Sequence, residues 1–305
     1  MSASVATTKA QLKRIEKLIA RYRVTRGKDF KLKHVDPKDT AGLKSEDKSE
    51  AKEMLERGVE WLAEQQQMLY AQDHWALLLV FQAMDAAGKD GTIKHVTSGI
   101  NTQGCHVTSY KQPSSEELDH DFLWRYMRNV PARGMIGIFN RSYYEELLVV
   151  KVHPELLHRQ KLHASLVTKN VWDERYEDIG NYERYLDRNG VRVVKFFLHV
   201  SHSEQKRRFL ERLDQPEKNW KFSASDVAER KHWSDYQEAY EEAIKNTASK
   251  HAPWYVVPAD NKWFTRLVVA AAVVDAIAKL KLHFPVVDGD KRKALAAARR
   301  DLEDE

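Results

Sequence analysis

Apolar runs alternate with amphipathic segments along most of this chain. The run at 75–81 (WALLLVF) has the length of a strand and no polar position, which is typical of a strand covered on both faces of a parallel sheet. Apolar or β-branched runs predict four more strands, at 106–110, 135–139, 191–200 and 254–257. An apolar period of three to four residues predicts helices at 45–72, 115–129, 172–189, 203–213 and 262–282. This alternation indicates an α/β fold with a mainly parallel sheet, whose ligands bind at the C-terminal ends of the strands.

One segment interrupts the alternation. Residues 214–250 are polar, charged and aromatic, and no part of them has the pattern of a strand. We expect a helical excursion mounted on the sheet, such as a lid at about 207–250. The predicted organisation is a basic arm and connecting segment at 1–44, one main domain at 45–285 that includes the lid, and a charged tail at 286–305.

The composition excludes several classes of protein. Of the 305 residues, 42% are hydrophobic, which is too many for a chain that is disordered throughout. No apolar run approaches the roughly 18 residues that a membrane helix needs, so we expect no membrane partner. The single cysteine, Cys105, excludes an internal disulfide framework and a cysteine-based zinc cluster. Together with an N-terminus that has no apolar signal segment, it favours a cytoplasmic location.

The net charge of +5 is unevenly distributed. Residues 1–34 contain ten Lys and Arg against two acidic residues, a net charge of +8, so the remainder carries −3. A basic arm of this kind can bind a polyanion. The blander interpretation, which we favour, is a solvated amphipathic helix at 9–24 with four apolar residues on one face, Leu12, Ile15, Leu18 and Ile19.

The first predicted strand runs into a turn of small residues, QAMDAAGKDGTI at 82–93, and then into a helical pattern. Strand, small-residue turn, Gly-Lys and helix is the context of a phosphate-binding P-loop, in which backbone N–H groups and the helix dipole attract phosphate. The candidate phosphate-binding residues of this loop are Ala86, Ala87, Gly88, Lys89, Asp90, Gly91 and Thr92.

The match to the general P-loop pattern is imperfect at two positions. Ala83 stands at the first glycine position, and Asp90 stands where a Ser or Thr hydroxyl usually binds magnesium. Carboxylates must then supply the metal ligands, and Asp85 and Asp90 are the local candidates. The alternative is a glycine-containing helix start with ordinary surface charges, but the buried strand that precedes it favours a phosphate loop.

A second cluster of polar residues follows the strand at 135–139. A metal-binding carboxylate usually ends the corresponding strand of a P-loop protein, but here that position is Asn140. Glu145 and Glu146 follow within six residues and are candidate metal ligands, and Arg141 can pair with a phosphate through its planar fork. Without the neighbouring P-loop, the two glutamates would more simply begin a solvated helix.

Three motifs in this order closely resemble the polyphosphate kinase 2 family. They are QAMDAAGKDGTIKHV at 82–96, FNRSYYEELLVVKVHP at 139–154 and RRFLERLDQPEKNWKFSASDVAERKHWSDYQEAYEEAI at 207–244. The tract APWYVVPADNKWF at 252–264 is also similar, and the resemblance covers about residues 28–285. It implies a P-loop kinase fold like that of thymidylate kinase, with three layers and a helical lid. It also implies phosphoryl transfer between inorganic polyphosphate and nucleotides that depends on Mg²⁺, which Mn²⁺ can replace.

The second motif also indicates a branch of the family. Asn140 followed by Tyr-Tyr-Glu-Glu is similar to the branch that phosphorylates both nucleoside monophosphates and diphosphates. The resemblance therefore implies reversible transfer to AMP and ADP, with GMP and GDP as further acceptors. It also implies a homodimer or homotetramer.

The resemblance assigns catalytic roles to four residues, Asp85, Lys89, Arg141 and Glu145. Asp85 would hold magnesium and orient the acceptor phosphate. Lys89 would bind the phosphate being transferred, and Glu145 would act with the metal or the acceptor. In the lid, the resemblance places cations that contact polyphosphate at Arg208, Arg212, Lys218 and Lys221.

Two other functions stay open on the motifs alone. An ATP-dependent nucleoside monophosphate kinase would also need the P-loop, although Asp85 inside the loop and the missing hydroxyl at position 90 argue against the ordinary ATP-donor arrangement. A non-catalytic polyphosphate-binding protein would rely on the basic arm instead. A specific nucleic-acid partner is not expected, because the sequence contains no RNA-recognition motif and no zinc-finger spacing.

Overall fold

The computed structural model describes residues 9–305, apart from the side chains of Lys9, Ser45, Lys221 and Ala224. Within this range the strands are β1 Arg23–Val24, β2 Ala76–Ala83, β3 Cys105–Ser109, β4 Ile136–Asn140, β5 Val191–His199 and β6 Trp254–Pro258. The helices are α1 Lys9–Ala20, α2 Lys48–Gln72, α3 Lys89–Val96, α4 Ser115–Leu118, α5 Trp124–Met127, α6 Val149–Val152, α7 Val171–Arg188, α8 His202–Asp214, α9 Ala224–Glu229, α10 Trp233–Thr247, α11 Lys262–Ala278 and α12 Gly289–Glu303.

The strands form one sheet in the order β1-β6-β5-β2-β4-β3. All neighbouring pairs are parallel except β1, which pairs antiparallel with β6. The central strand β2 lies between β4 and β5 and is buried from Ala76 to Gln82, which explains why its sequence is a continuous apolar run. The predicted α/β fold with a mainly parallel sheet is confirmed, and the five predicted strands lie within two residues of the observed ones.

Two predictions of secondary structure were wrong. The predicted helix at 115–129 is two single turns, α4 and α5, because Asp121 Oδ1 accepts a hydrogen bond from the backbone N–H of Leu123 at 2.9 Å and starts a new turn. The predicted helix at 9–24 ends at Ala20, and residues 23 and 24 form the short strand β1 instead, because β6 offers them a free edge.

Residues 9–44 pack onto the main domain. Helix α1 lies against α11, and its apolar face carries Ile19, which is fully buried. The Tyr22 hydroxyl donates a hydrogen bond to Asp39 Oδ2 at 2.7 Å, and the Tyr22 ring packs edge-on against Phe264. The amphipathic interpretation of this helix is therefore the one that the structure shows; residues 1–8 of the predicted arm lie outside the described residues.

The 214–250 segment is helical, with 3-10 helices at Pro216–Lys221 and Arg230–His232 besides α9 and α10. The two ends of the predicted lid belong to the body of the domain, because Phe209 on α8 and Tyr240 and Ile244 on α10 are buried. The outer part, residues 215–232, covers the C-terminal end of the sheet. Beyond it, α12 in the charged tail is exposed along its whole length. Among the described residues, no helix has both the length and the apolar character to cross a membrane.

Candidate active site

The turn between β2 and α3 has the backbone geometry of a phosphate loop. Ala86 and Gly88 both have left-handed backbone angles, with φ of 60° and 104°, and Gly88 caps α3. Glycine adopts this conformation without strain, whereas Ala86 is held in it by its surroundings. Helix α3 then begins at Lys89, so its first backbone N–H groups, which have no partner within the helix, face the C-terminal end of the sheet.

Lys89 lies at the centre of this loop. Its Nζ donates a hydrogen bond to the backbone oxygen of Ala83 at 2.9 Å. Burial lowers the pKa of Lys89, and the nearby Arg141 lowers it further, whereas Asp85 and Glu145 oppose the shift. The ammonium group therefore sits in a partly desolvated setting among carboxylates, where its attraction for a phosphate is screened less than in open water.

Arg141 connects the two strand ends. It follows β4 with a left-handed φ of 66°, and its backbone N–H donates to the oxygen of Phe81 in β2. Its guanidinium bridges two carboxylates, with Nη2 3.1 Å from Asp85 Oδ1 and Nη1 3.1 Å from Glu145 Oε2. Glu145, more than any other neighbour, raises the pKa of Arg141. All four predicted catalytic residues thus lie together at the C-terminal edge of β2 and β4.

Two further polar residues complete this edge. Gln82, the last buried residue of β2, donates from Nε2 to Glu145 Oε1 at 2.9 Å. Asn140 donates from Nδ2 to Asp90 Oδ1 at 2.8 Å. Asn140, the last residue of β4, therefore lies beside the first turn of α3, as expected from its place at the end of that strand. Asp90 is its hydrogen-bond partner.

Glu146 does not reach the site, and its prediction as a metal ligand was wrong. Its Oε2 lies 3.1 Å from Nη1 of Arg175 and accepts a hydrogen bond from Gln160, on the far side of the turn. The reason is the 3-10 helix Tyr143–Leu147, in which successive side chains diverge by about 120°, so Glu145 and Glu146 point to different faces. Burial raises the pKa of Glu146, and Arg175 opposes this.

Three of the four predicted polyphosphate-binding cations of the lid, Arg208, Arg212 and Lys218, have protein partners. Arg208 is only 4% exposed, and its five donors go to Glu204 and to the backbone oxygens of Ala86, Ala87, Ala259 and Asp260. This side chain supports the P-loop and ties it to the loop after β6. Its contact with polyphosphate stays a prediction, and in this arrangement no donor of Arg208 is left for a phosphate.

Arg212 and Lys218 lie closer to the surface than Arg208 does. Arg212 Nη1 is 3.7 Å from Asp226 Oδ2, and Lys218 Nζ is 2.8 Å from Glu211 Oε1. The Lys221 side chain lies outside the described residues. Contact of these three residues with polyphosphate also stays a prediction.

The loop, the strand ends and the lid enclose one cavity, and several residues that line it were missed by the sequence analysis. Gln205 on α8 donates to the backbone oxygen of Asp85 at 3.0 Å and accepts from Arg230 of the lid at 2.6 Å. Asp226 faces the same cavity, and burial and the charge of Asp85 raise its pKa. The outer part of the lid also contributes Glu229, and helix α10 contributes Tyr236 and Tyr240. The sequence showed only that residues 214–250 are polar and aromatic. That pattern does not predict which of these side chains face the sheet.

A glycine-containing loop after the central strand of a parallel sheet, a lysine at the start of the next helix, and an arginine between two carboxylates define a P-loop phosphotransferase. The profile of the family described as polyphosphate kinase 2 matches residues 44–285. The chain belongs to the polyphosphate kinase 2 family, as its motifs indicated.

Individual relatives agree with this assignment. The chain is 52% identical over 258 residues to an ADP-polyphosphate phosphotransferase of Rhodopseudomonas palustris, a match that covers 84% of this chain and 89% of that protein. It is 43% identical over 267 residues to an AMP/ADP-polyphosphate phosphotransferase of Meiothermus ruber, covering 87% and 95% of the two chains. The crystal structure of polyphosphate kinase 2 from Arthrobacter aurescens superposes with a TM-score of 0.81 at 39% identity, over 91% of this chain and 95% of that one.

Proposed function

We propose that this protein transfers phosphoryl groups from inorganic polyphosphate to AMP and ADP. The observation that carries the proposal is the constellation of Lys89, Asp85, Arg141 and Glu145 on one edge of the sheet. The two relatives described above, whose names specify polyphosphate with ADP or with AMP and ADP, support the choice of substrates.

The residues act mainly by position and charge. Phosphoryl transfer needs an in-line arrangement of acceptor oxygen, phosphorus and leaving oxygen, and it needs positive charge where negative charge spreads in the transition state. Lys89 and the first N–H groups of α3 bind the donor end of the chain. Arg141 lies next to Lys89 and neutralises charge on the acceptor phosphate. The outer part of the lid excludes water, which would otherwise hydrolyse the donor.

Mg²⁺ fits this site as a proposed cofactor. Asp85 and Glu145 each have one carboxylate oxygen on the same guanidinium, which brings two hard oxygen ligands to one place. This suits Mg²⁺, which commonly binds through one or two carboxylates together with water and substrate phosphates. When bound, the ion neutralises charge on the phosphates.

The main alternative is an ATP-dependent nucleoside monophosphate kinase. In such kinases a Ser or Thr at the second helix position binds the metal that accompanies ATP. Here that position is Asp90, and its Oδ1 accepts a hydrogen bond from Asn140. The geometry therefore favours polyphosphate over ATP as donor.

The proposal is tested by mixing the protein with Mg²⁺, polyphosphate and either AMP or ADP and separating the nucleotide products. We expect ADP and ATP to form. Asp85→Asn and Lys89→Ala should each lower kcat by about 100-fold or more, with an unchanged far-UV circular dichroism spectrum. Product formation from ATP and AMP without polyphosphate would instead support the alternative. Near-normal rates in either variant would contradict its assigned role. Use of guanine nucleotides, reversibility, oligomeric state and location stay predictions.

A further inference from the structure

Helix α12, Gly289–Glu303, stands apart from the rest of the chain. The family profile ends at residue 285, so the helix lies outside the part that matches the family. Every residue from 288 to 305 is exposed, and Leu295 and Leu302 expose 55% and 71% of their surface. Helices of this length are marginal in water unless they pack an apolar face against a partner. The helix therefore has an apolar surface to cover.

The apolar side chains of α12 lie along one face. Leu295 and Leu302 are seven residues apart, which is about two helical turns, and Ala298 lies between them on the same side. Ala294 borders this face, and we call these four residues the leucine face. Ala297 lies about 160° from Leu295 around the helix, so it points to the opposite side.

The charges of α12 are separated along its axis. The basic end is Lys291, Arg292 and Lys293, and the acidic end is Glu303, Asp304 and Glu305. Residues 288–293 contain three cations and two carboxylates, whereas residues 299–305 contain two cations and four carboxylates. The helix dipole favours the opposite order, with carboxylates at the start and cations at the end.

Ion pairs within the helix leave the two ends separate. Lys293 Nζ is 3.5 Å from Asp290 Oδ1, and Arg299 Nε is 2.8 Å from Glu303 Oε1, so each pair joins neighbours at one end. All four side chains are well exposed, and such pairs stabilise a helix only slightly. The order of charge along α12 thus contributes little to the single helix, but it suits a partner with the reverse order.

A second copy of the same helix, running antiparallel, has that reverse order. When position 291 faces position 305, position 292 faces 304 and position 293 faces 303, each basic end meets an acidic end. The same register sets Leu302 opposite Ala294 of the second copy and Ala298 opposite its own counterpart. Small side chains then face large ones or each other, so the two helices can approach closely, and their dipoles run in opposite directions.

We propose that α12 binds α12 of a second copy of this chain as an antiparallel pair, through the leucine face and the contact of basic with acidic ends. A polyanion fits less well, because the acidic end would repel it. Two leucines per copy bury little surface, which is typical of weak, reversible association. The pair is independent of the proposed function, because no residue of α12 belongs to the active site.

The first test is cysteine crosslinking of the full chain in a Cys105→Ser background, where the introduced cysteine is the only one. Ala298→Cys places a thiol in the leucine face, and Ala297→Cys is the matched control on the opposite side. Under mild oxidation, we expect the covalent dimer to form about fivefold faster or more with Ala298→Cys, because a disulfide needs two Cα atoms within about 7 Å. Non-reducing gel electrophoresis measures the rate. Equal rates at the two positions would overturn the pair, as would the absence of a dimer, which is expected if α12 docks on its own domain.

The second test reverses the charges in the Ala298→Cys chain at low salt. The basic-end variant is Lys291→Glu/Arg292→Glu/Lys293→Glu. Like charges then face each other across the pair, so crosslinking should slow about fivefold or more. The helix itself is not weakened, because acidic residues in its first turns suit the dipole.

Restoring opposite charges should restore the pair. The compensating changes, made in the same chain, are Glu303→Lys/Asp304→Lys/Glu305→Lys. We expect the crosslinking rate to return to that of the Ala298→Cys chain, a recovery that a general loss of structure would not give. A basic-end variant that crosslinks at the original rate, or a compensated chain that stays slow, would contradict the proposal.

Discussion

At the scale of single residues, adjacent glutamates have unrelated roles. Glu145 lies among Arg141, Gln82 and the cavity, whereas Glu146 forms a buried ion pair with Arg175. The sequence shows two equivalent carboxylates, and both were candidate metal ligands for that reason. The 3-10 geometry of the turn separates them, because neighbouring side chains of such a helix point to different faces.

Glutamine substitutions should separate the two roles. Glu145→Gln should lower kcat by about 100-fold with little change in the midpoint of thermal unfolding. Glu146→Gln should retain activity at low temperature but lower the free energy of unfolding by about 2 to 4 kcal/mol, because Arg175 loses its charged partner while it stays buried. Both variants are measured by product formation, by thermal unfolding and by urea unfolding. A Glu146→Gln protein that is stable but inactive would contradict this assignment.

At the scale of elements, the catalytic turn is held by a buried polar network. Lys195 on β5 and Glu183 on α7 are fully buried and 2.6 Å apart. Glu183 Oε1 accepts hydrogen bonds from the hydroxyls of Tyr143 and Tyr144, at 2.9 Å each. Lys195 also donates to the backbone oxygen of Thr247 at the end of α10. Strand β5, helices α7 and α10 and the turn that carries Glu145 are thereby joined at one point.

Removing one side of this network should destabilise the protein strongly. Lys195→Met leaves Glu183 buried without a cation, so we expect the free energy of unfolding to fall by about 3 to 5 kcal/mol in guanidinium denaturation. The double variant Lys195→Met/Glu183→Leu should be more stable than the single one. The control is Lys279→Met, because Lys279 is also 2.6 Å from its partner, Asp275, but is 54% exposed. The Lys279→Met variant should lose at most about 1 kcal/mol of the free energy of unfolding. An equal loss in Lys195→Met and Lys279→Met would contradict the argument from burial.

At the scale of the whole molecule, the N-terminal segment completes the body of the domain. Residues 9–44 add strand β1 to the sheet and pack α1 against α11. His199, at the end of β5, marks this contact. Its ring is buried, and its pKa responds to Asp260 from the loop after β6 and to Asp36 and the backbone of Val35 from the N-terminal segment. Burial lowers the pKa of His199 from 6.5 to about 4, against the opposing effect of these groups.

This buried histidine predicts a loss of stability in mild acid. The unfolded chain takes up the proton near pH 6.5 and the folded chain only near pH 4, so the contribution of His199 is present above pH 6.5 and is lost as the pH falls to 4. The loss should reach at most about 3 kcal/mol. Urea unfolding between pH 7 and 4.5 should show a shallower pH dependence for His199→Gln than for the wild type. The exposed His106→Gln is the control, and identical slopes for all three proteins would contradict the prediction.

Local sequence was sufficient for the parts of the fold that depend on short-range periodicity. The run at 75–81, the Gly88-Lys89 turn and the helix at 45–72 are set by burial on both faces, by backbone freedom and by apolar spacing, and each was found from the pattern alone. Asp85 lies next to the Gly88-Lys89 turn in the chain, and Arg141 directly follows the apolar run at 135–139, so both were predicted as site residues for the same reason.

Contacts between distant parts of the chain had to come from the folded structure. Whether Arg208 faces a phosphate or the carbonyls of Ala86 and Ala87 depends on segments that are more than 100 residues apart in the chain. The apolar period of an element predicts only which of its faces is buried. It does not predict which polar groups of other elements contact that face or its edges. The side chains that support the P-loop from other elements, such as Arg208, are therefore visible only once the helices are packed.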